Sequence, residues 1–254
     1  MSETVRVDRH GPVLVITLDR PAKRNAVDGA MARSLAAAVD SLDADPTLTV
    51  GVLTGAGGTF CAGMDLGAFL TGDLPELPGR GFGGITRTPP ATPLIAAVEG
   101  YALAGGCELV LACDLVVAAE DAVFGIPEVT RGLFAGAGGL IRLPKRIPPA
   151  IALEHALTGD PLPATEAARW GLVNRLTAPG GALEGALDLA GRIARNGPLA
   201  VRVTKQVVQT SPDWPVEELW DRQQVLLDQV LASADAREGA RAFAEKRPPE
   251  WTGN

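Results

Sequence analysis

The amino-acid sequence predicts an α/β fold. Its 254 residues are 46% apolar and 21% charged, a composition typical of a globular protein with a large core. Short runs of apolar, often β-branched residues alternate with segments whose apolar residues recur at helical spacing. This alternation is typical of an α/β core whose ligand site lies among the loops after the strands. The length allows one large domain or two unequal ones.

The first half of the chain is predicted to contain strands at residues 5–7, 13–18 and 50–54, the first two joined by a turn at residues 10–12. Asp28 is predicted to cap a helix whose apolar residues are Met31, Leu35, Ala38, Val39 and Leu42. Residues 71–93 are rich in glycine and proline and show no period, which predicts a mobile loop.

The second half is predicted to be mostly helical. Strands are expected at residues 94–98, 114–119 and 122–124, with a helix beginning near Gly105. From about residue 136, helices are predicted at residues 151–157, 164–170, 183–194, 199–208, 216–231 and 236–246. The carboxy-terminal third is therefore expected to form a helical subdomain.

The formal net charge is −7 and no block of like charges occurs, which argues against a nucleic-acid partner. No secretory signal is visible at the amino terminus, and no apolar run reaches the length of a membrane span. The three cysteines, Cys61, Cys107 and Cys113, lie in apolar or glycine-rich surroundings. They indicate reduced thiols and a cytoplasmic protein.

Two carboxylates lie in unusually apolar surroundings. Glu108 is followed by Leu-Val-Leu-Ala-Cys, and Glu128 follows Phe-Gly-Ile-Pro, twenty positions later. Most glutamates are exposed charges, but an ionised group among small and apolar residues is costly unless it has a use. A helix followed by a strand can bring the two side chains together, so we interpret them as a pair for acid and base catalysis.

Two glycine-rich segments are candidates for backbone contact with a ligand. Gly105 and Gly106 open a buried helix, where the first N–H groups have no internal partners and can polarise a carbonyl oxygen. A close contact between helix and strand explains these glycines equally well. Residues 57–66 can supply a second N–H, although an ordinary connection with Asp65 as helix cap is the alternative. Neither segment has a dinucleotide or P-loop motif.

The histidines and cysteines of the sequence lack the spacing that metal binding or thiol catalysis needs. The only histidines are His10 and His155, and neither has a partner at metal-ligand spacing. No cysteine pair has C-x-x-C spacing, and Cys107 on an apolar helix is more often a packing residue than a nucleophile. No metal site is therefore predicted, and carboxylate chemistry remains.

The chain resembles the enoyl-CoA hydratase/isomerase (crotonase) superfamily over nearly its full length. The matching segments are LDRPAKRNA (18–26), FCAGMDL (60–66), IAAVEGYALAGGCE (95–108), FGIPE (124–128), GAGGLIRL (136–143), ARWGLVN (168–174) and EGARAFAEKR (238–247). Two further segments, RLPKRIPPAI (142–151) and EKRPPEW (245–251), look most like the carnitinyl-CoA dehydratase branch.

The resemblance implies a crotonase-like spiral of ββα units over residues 1–195, which carries the coenzyme A and active sites. Residues 196–254 would form a helical oligomerisation region of a homotrimer or a dimer of trimers. Glu108 and Glu128 match the two family glutamates that hold a water molecule. Met64 and Gly105 match the N–H donors of the oxyanion hole. The implied substrate contacts are Lys23, Ala26, Ala62, Asp65, Leu66 and Gly136.

The implied activity is reversible syn addition of water to the 2,3 double bond of a 2-enoyl-CoA. Coenzyme A is then part of the substrate and no separate cofactor is expected. Enoyl-CoA isomerisation, a carnitinyl-CoA-type dehydration, thioester hydrolysis and non-catalytic acyl-CoA binding remain as alternatives. Ala135 stands where many hydratases have proline, and Arg131 where an apolar residue is common, so the pocket is expected to differ in shape.

Overall fold

The structure, a computed structural model, describes residues 4–253. The strands are β1 (Val5–His10), β2 (Val13–Leu18), β3 (Val50–Gly55), β4 (Glu76–Leu77), β5 (Gly81–Phe82), β6 (Leu94–Val98), β7 (Tyr101–Leu103), β8 (Leu115–Ala119), β9 (Val123–Gly125), β10 (Leu162–Pro163) and β11 (Arg175–Thr177). The helices are α1 (Gly29–Ala44), α2 (Leu66–Leu70), α3 (Gly105–Ala112), α4 (Gly139–Arg146), α5 (Pro149–Thr158), α6 (Ala164–Trp170), α7 (Ala182–Ala194), α8 (Pro198–Thr210), α9 (Leu219–Ala232) and α10 (Ala234–Glu245).

Two sheets form the centre of the molecule. The six-stranded sheet has the order β1-β2-β3-β6-β8-β11, parallel except for the antiparallel pair β1 and β2. The three-stranded sheet has the order β10-β9-β7, in which β7 and β9 are parallel. Successive turns of the chain place one strand in each sheet, as β6 with β7 and β8 with β9 do. The ββα pattern implied by the resemblance is therefore present.

The inner strands β2, β3, β6 and β8 of the larger sheet are buried on both faces, as their apolar runs predict, whereas the edge strand β1 is mostly exposed. One face packs against α7, where Val52, Ile95 and Val117 meet Ala186 and its neighbours on the helix. The opposite face belongs to a larger core that also includes residues of α1, α3 and the smaller sheet. Helices thus cover both sides of the sheet, which leaves the loops after the strands as the place for a site.

Most of the strands and helices predicted from the sequence are confirmed. The strands at 13–18, 50–54 and 94–98 and the helix beginning at Gly105 lie where they were expected. Asp28 caps α1, because its Oδ1 accepts a hydrogen bond of 2.8 Å from the Met31 N–H.

Residues 71–93 were predicted to form a mobile loop, and the lack of regular structure in that prediction is wrong in part. Strands β4 and β5 form a short antiparallel hairpin there, and Phe82 through Thr86 are buried. The expectation of an almost entirely helical chain after residue 136 is also too simple. Strand β10 extends the smaller sheet, and β11 pairs in parallel with β8 at the edge of the larger one.

Helix α8 is fastened to the core by a nearly buried ion pair. The Lys205 Nζ lies 2.7 Å from Oδ2 of Asp114 and also donates to the carbonyl oxygens of Pro90 and Thr92. Helix α9, by contrast, has no buried residue within the described part of the chain. No helix between residues 4 and 253 is both long and apolar enough to cross a membrane.

Candidate active site

The first N–H of α3 is available to a ligand. Strand β7 ends at Leu103, and Ala104 then adopts φ 51° and ψ −127°, which turns the chain into the helix. The N–H of Gly105 donates to no acceptor within residues 4–253. Glycine suits this position because a Cβ atom would overlap the ring of Phe82 unless that ring moved. The two interpretations of this glycine, close packing and an open donor, are thus both compatible with the structure.

A second free N–H lies on the neighbouring segment. Cys61 pairs with Ala102 of β7, and the chain continues through Gly63, whose φ is 99°, to Met64. The Met64 N–H has no acceptor among the described residues either. A Cβ atom at Gly63 would lie 3.3 Å from the Gly105 nitrogen, so the two segments are in contact. The structure thus brings together the two donors predicted from the sequence.

Glu108 is buried one turn into α3, with 3% of its surface exposed. Its Oε1 accepts a hydrogen bond of 2.8 Å from the N–H of Gly139, the first residue of α4. Burial raises the pKa of Glu108 to about 7, opposed by the Gly139 hydrogen bond and reinforced by the charge of Glu128. A carboxyl with this pKa can exchange a proton near neutral pH.

Glu128 lies on the 3-10 turn Pro127–Arg131, directly after β9. Its Oε2 is fully buried and has no hydrogen-bond partner among the described residues. Burial raises the pKa of Glu128, while a backbone N–H and the charge of Arg131 oppose the shift. A buried polar oxygen without a partner is costly, so this atom is available for a water molecule or a substrate.

The topology explains why two glutamates distant in sequence are neighbours. Strands β7 and β9 are parallel and adjacent, with Leu103 paired to Gly125. Each strand leads directly into the element that carries one glutamate, so both side chains lie at the same end of the smaller sheet. Neither is the freely exposed charge that is the usual fate of a glutamate.

Five of the six predicted substrate contacts lie on two neighbouring segments next to the Met64 N–H. Residues 23–27 and 62–66 run side by side, since Val27 pairs with Met64 and the Ala62 N–H donates to the Arg24 carbonyl. Lys23 and Leu66 are exposed, Ala62 is half-buried and Ala26 is buried. Gly136 lies apart from them, exposed in the segment before α4.

Asp65 has a structural task of its own. Its Oδ1 accepts from the N–H groups of Gly67 and Ala68, so it caps α2, as the alternative interpretation expected. Its Oδ2 pairs with Arg20 at 3.0 Å. The Arg20 guanidinium, aided by these N–H groups, holds the pKa of Asp65 below its usual value. Any contact of Asp65 with a substrate remains a prediction.

Arg142 adjoins the candidate site, and the sequence assigned no role to it. Its half-buried guanidinium lies against Gly138 and donates to the carbonyl oxygen of Thr86. Burial lowers the pKa of Arg142, and the charge of Glu108 opposes this shift. The side chain therefore joins α4 to the segment that follows Phe82. Its signal in the sequence was its place in the segments GAGGLIRL and RLPKRIPPAI, which gave it no role.

The thiol alternatives find little support in the geometry. All three cysteines are buried, and burial raises the pKa of Cys107 to about 12, so it is protonated near neutral pH. Between residues 4 and 253, no three His, Cys, Asp or Glu side chains are grouped as metal ligands.

A cleft of about 1320 Å³ between α4 and α8 is lined by Gly136 and Arg142 but by neither glutamate.

Known proteins resemble this chain over its full length. The profile of the enoyl-CoA hydratase/isomerase family matches residues 8–254. A carnitinyl-CoA dehydratase of Salmonella arizonae is 45% identical over the full length of both chains. The crystal structure of an enoyl-CoA hydratase from Mycobacterium tuberculosis H37Rv superposes with a TM-score of 0.98 at 56% identity, and a carnitinyl-CoA hydratase from Mycobacterium avium with 0.80 at 43%. Both cover all of each chain. The chain therefore has the crotonase fold and belongs to the enoyl-CoA hydratase/isomerase family.

Proposed function

We propose that this protein is an enoyl-CoA hydratase, a hydro-lyase that reversibly adds water to the 2,3 double bond of a 2-enoyl-CoA. One observation carries the proposal: two carboxyls with raised pKa values lie at one end of a sheet, beside two backbone N–H groups that have no internal acceptor. Isomerisation needs only one proton-shuttling carboxylate, so a retained pair favours hydration.

The donors and the carboxyls have separate tasks in this proposal. The N–H groups of Met64 and Gly105 stabilise the negative charge that develops on the thioester oxygen, an effect of about 3 kcal/mol per donor in comparable sites. One ionised carboxylate takes a proton from a water molecule while the oxygen of that water bonds to C3. The other carboxyl delivers a proton to C2, and the roles reverse in dehydration. Raised pKa values keep both protonation states accessible near neutral pH.

The coenzyme A part of the substrate is proposed to lie along residues 23–26 and 62–66. Lys23, exposed at the end of a 3-10 turn, is suited to a phosphate group. Ala26, Ala62, Asp65 and Leu66 would contact the pantetheine arm, and Gly136 the acyl end. No cofactor beyond the coenzyme A of the substrate is needed for this chemistry. The three buried, free cysteines support a reducing, cytoplasmic location.

A carnitinyl-CoA-type dehydration is the second candidate. It is favoured by the full-length similarity to a protein named carnitinyl-CoA dehydratase, and it uses the same two carboxyls in the reverse direction.

An assay with crotonyl-CoA tests the proposal. Loss of the conjugated thioester absorbance without release of free thiol supports hydration, whereas matching thiol release indicates a thioesterase. A 3-enoyl-CoA serves as control, because gain of conjugated absorbance faster than any hydration indicates an isomerase. Binding without turnover of either substrate indicates an acyl-CoA-binding protein and contradicts the proposal.

We further propose that residues 196–254 mediate assembly into a trimer or a dimer of trimers. Apolar side chains on and beside α9 and α10 are strongly exposed in the protomer, including Trp220 at 77% and Phe243 at 88%. Exposed apolar surface of this kind marks an interface between proteins. Light scattering coupled to size-exclusion chromatography is expected to give three or six chains, and a monomer at micromolar concentration would contradict the assignment.

A further inference from the structure

The direction of the Met64 N–H is set by the pairing of its neighbours with Val27. The Val27 N–H donates to the Gly63 carbonyl oxygen at 2.8 Å, and the Asp65 N–H donates to the Val27 carbonyl oxygen at 2.9 Å. In paired extended backbone, neighbouring N–H groups point to opposite sides. The Met64 N–H therefore faces away from Val27, towards the side on which β7 leads to Gly105.

Residues 24–28 are the main anchor of the segment that carries Met64. Among the described residues, the backbone bonds of this segment to β7 end at Cys61, whose carbonyl oxygen accepts from the Leu103 N–H. Helix α2 follows at Leu66, and none of its five residues is buried. Packing of α2 therefore does not fix Met64, and the position of its N–H depends on the attachment to residues 24–28.

The guanidinium of Arg20 joins these two segments. Its Nη1 donates to the Ala26 carbonyl oxygen and lies 3.1 Å from Oδ2 of Asp28, while its Nη2 lies 3.0 Å from Oδ2 of Asp65. The three charged side chains are 18%, 17% and 11% exposed, so water and salt screen the pairs only weakly. Asp28 caps α1 and Asp65 caps α2, so one planar cation ties the starts of both helices together.

Loss of this cation would place two carboxylates close together without compensation. Like charges repel, and a poorly solvated carboxylate that loses its partner is costly. The segments that carry Asp28 and Asp65 would move apart to admit water, and the peptide of Met64 would move with Asp65. A donor stabilises developing charge only at about 2.7–3.1 Å from the oxygen that carries it. A shift that leaves the fold intact can therefore still remove the donor.

We infer that Arg20 is a positioning residue, which holds the Met64 N–H where it and the Gly105 N–H donate to the same thioester oxygen. Arg20 acts through Asp28 and Asp65 and contacts no reacting atom. This inference rests on the proposed hydro-lyase function and adds to it the residue that keeps its oxyanion hole in shape.

The kinetics of crotonyl-CoA hydration by Arg20→Met, Arg20→Lys and Arg6→Met test the inference. Lysine keeps the charge of Arg20, but its compact ammonium cannot span acceptors on both segments as the planar guanidinium does. Arg6 is the matched control, because it pairs with Asp19 on the exposed surface and its loss removes the same charge. Circular dichroism and urea unfolding establish that each variant is folded under the conditions of the assay.

Arg20→Met should lower kcat about 100-fold, the effect of misplacing a catalytic group by about 1 Å. KM should change little, because the coenzyme A part of the substrate supplies most of the binding energy. Arg20→Lys should lose less of kcat than Arg20→Met, and Arg6→Met should match the wild type.

Two kinetic results would overturn the inference. A raised KM with unchanged kcat would show that Arg20 serves only substrate binding. A folded Arg20 variant with the kcat of the wild type would show that the guanidinium does not position the donor. If Arg20→Met does not fold, Arg20→Lys decides, because it retains the charge that keeps Asp28 and Asp65 compensated.

Infrared spectra of bound butyryl-CoA separate this inference from the proposed activity. The probe carries an isotopic label at its thioester carbonyl carbon and is saturated, so the measurement requires no turnover. Hydrogen bonds lower the stretching frequency of a carbonyl group. The wild type and Arg6→Met should therefore lower the frequency of the bound probe relative to free butyryl-CoA, and both Arg20 variants should lower it less.

The two proposals can then fail independently. If the protein hydrates no enoyl-CoA, the hydro-lyase function is wrong, yet a smaller frequency shift in the Arg20 variants still supports the role of Arg20. An equal shift in all four proteins overturns that role.

Discussion

The N–H of Gly139 donates a hydrogen bond of 2.8 Å to Oε1 of Glu108, which joins the start of α4 to the buried carboxyl of α3. This bond favours the ionised carboxylate, but burial outweighs it, and the pKa of Glu108 is about 7 in the fold. The fold therefore resists ionisation of the Glu108 carboxyl, which in an unfolded chain has its ordinary pKa of 4.5.

The stability of the protein is expected to depend on pH through Glu108. Because the folded pKa is raised, the folded state binds more protons between pH 5 and 7, and stability falls as pH rises through this window. Relative to Glu108→Gln, the wild type should lose about 3 kcal/mol of unfolding free energy between pH 5 and 8. Urea unfolding of both proteins at several pH values measures this. Parallel profiles would show that Glu108 titrates normally.

Replacement of Ala104 by glycine is expected to stabilise the protein. Ala104 has φ 51° and ψ −127°, a conformation that L side chains rarely adopt. Relief of this strain should exceed the entropic cost of glycine and raise the unfolding free energy by about 1 kcal/mol. Ala102→Gly, two residues earlier in β7, is the control and should destabilise the protein. Equal losses in both variants would show that Ala104 is unstrained.

A methyl group at Gly105 is expected to impair catalysis through Phe82. The new Cβ overlaps the Phe82 ring, so the hairpin or the N–H donor must move. Gly105→Ala should lower kcat by about 100-fold, the effect of misplacing a catalytic group by about 1 Å. In the double variant Gly105→Ala/Phe82→Ala the ring is removed, and part of the lost kcat should return. A double-mutant cycle on kcat checks the coupling, and simply additive losses would contradict it.

Loss of Lys205 is expected to weaken the attachment of α8. Lys205→Met leaves Asp114 without its cation in a nearly buried position, which should lower the unfolding free energy by about 3 kcal/mol. Removal of the exposed pair between Arg175 and Asp188 by Arg175→Gln should cost less than about 1 kcal/mol. Thermal and urea unfolding compare the two variants. A similarly small loss of unfolding free energy in both variants would show that the pair of Lys205 and Asp114 contributes no more than an exposed pair.

The sequence predicted the elements that depend on local patterns. The apolar runs of β2, β3 and β6 and the cap at Asp28 carry their signal within a few neighbouring residues. Strand β7 was not predicted, because its three residues Tyr101–Leu103 acquire strand geometry only by pairing with β9. The hairpin at Glu76 and Phe82 was hidden for a related reason, since its order comes from packing of Phe82 on Gly105.

The residues of the candidate site that could be identified from the sequence are those with unusual local neighbours. Glu108 and Glu128 were identified because their apolar neighbours are unusual for a carboxylate. Arg142 was not, because an arginine near the end of a helix is common and only the fold places its guanidinium against Gly138. The contact of Gly139 with Glu108 joins residues from separate helices, and no local pattern encodes it.

Turnover of crotonyl-CoA by Glu128→Gln, compared with the wild type, tests the two-carboxyl account most directly. The variant keeps the size of the side chain but removes the acid whose buried Oε2 is otherwise unpartnered. We expect Glu128→Gln to hydrate crotonyl-CoA at least about 100-fold more slowly, with an unchanged fold by circular dichroism. Hydration by Glu128→Gln at the rate of the wild type would contradict the account.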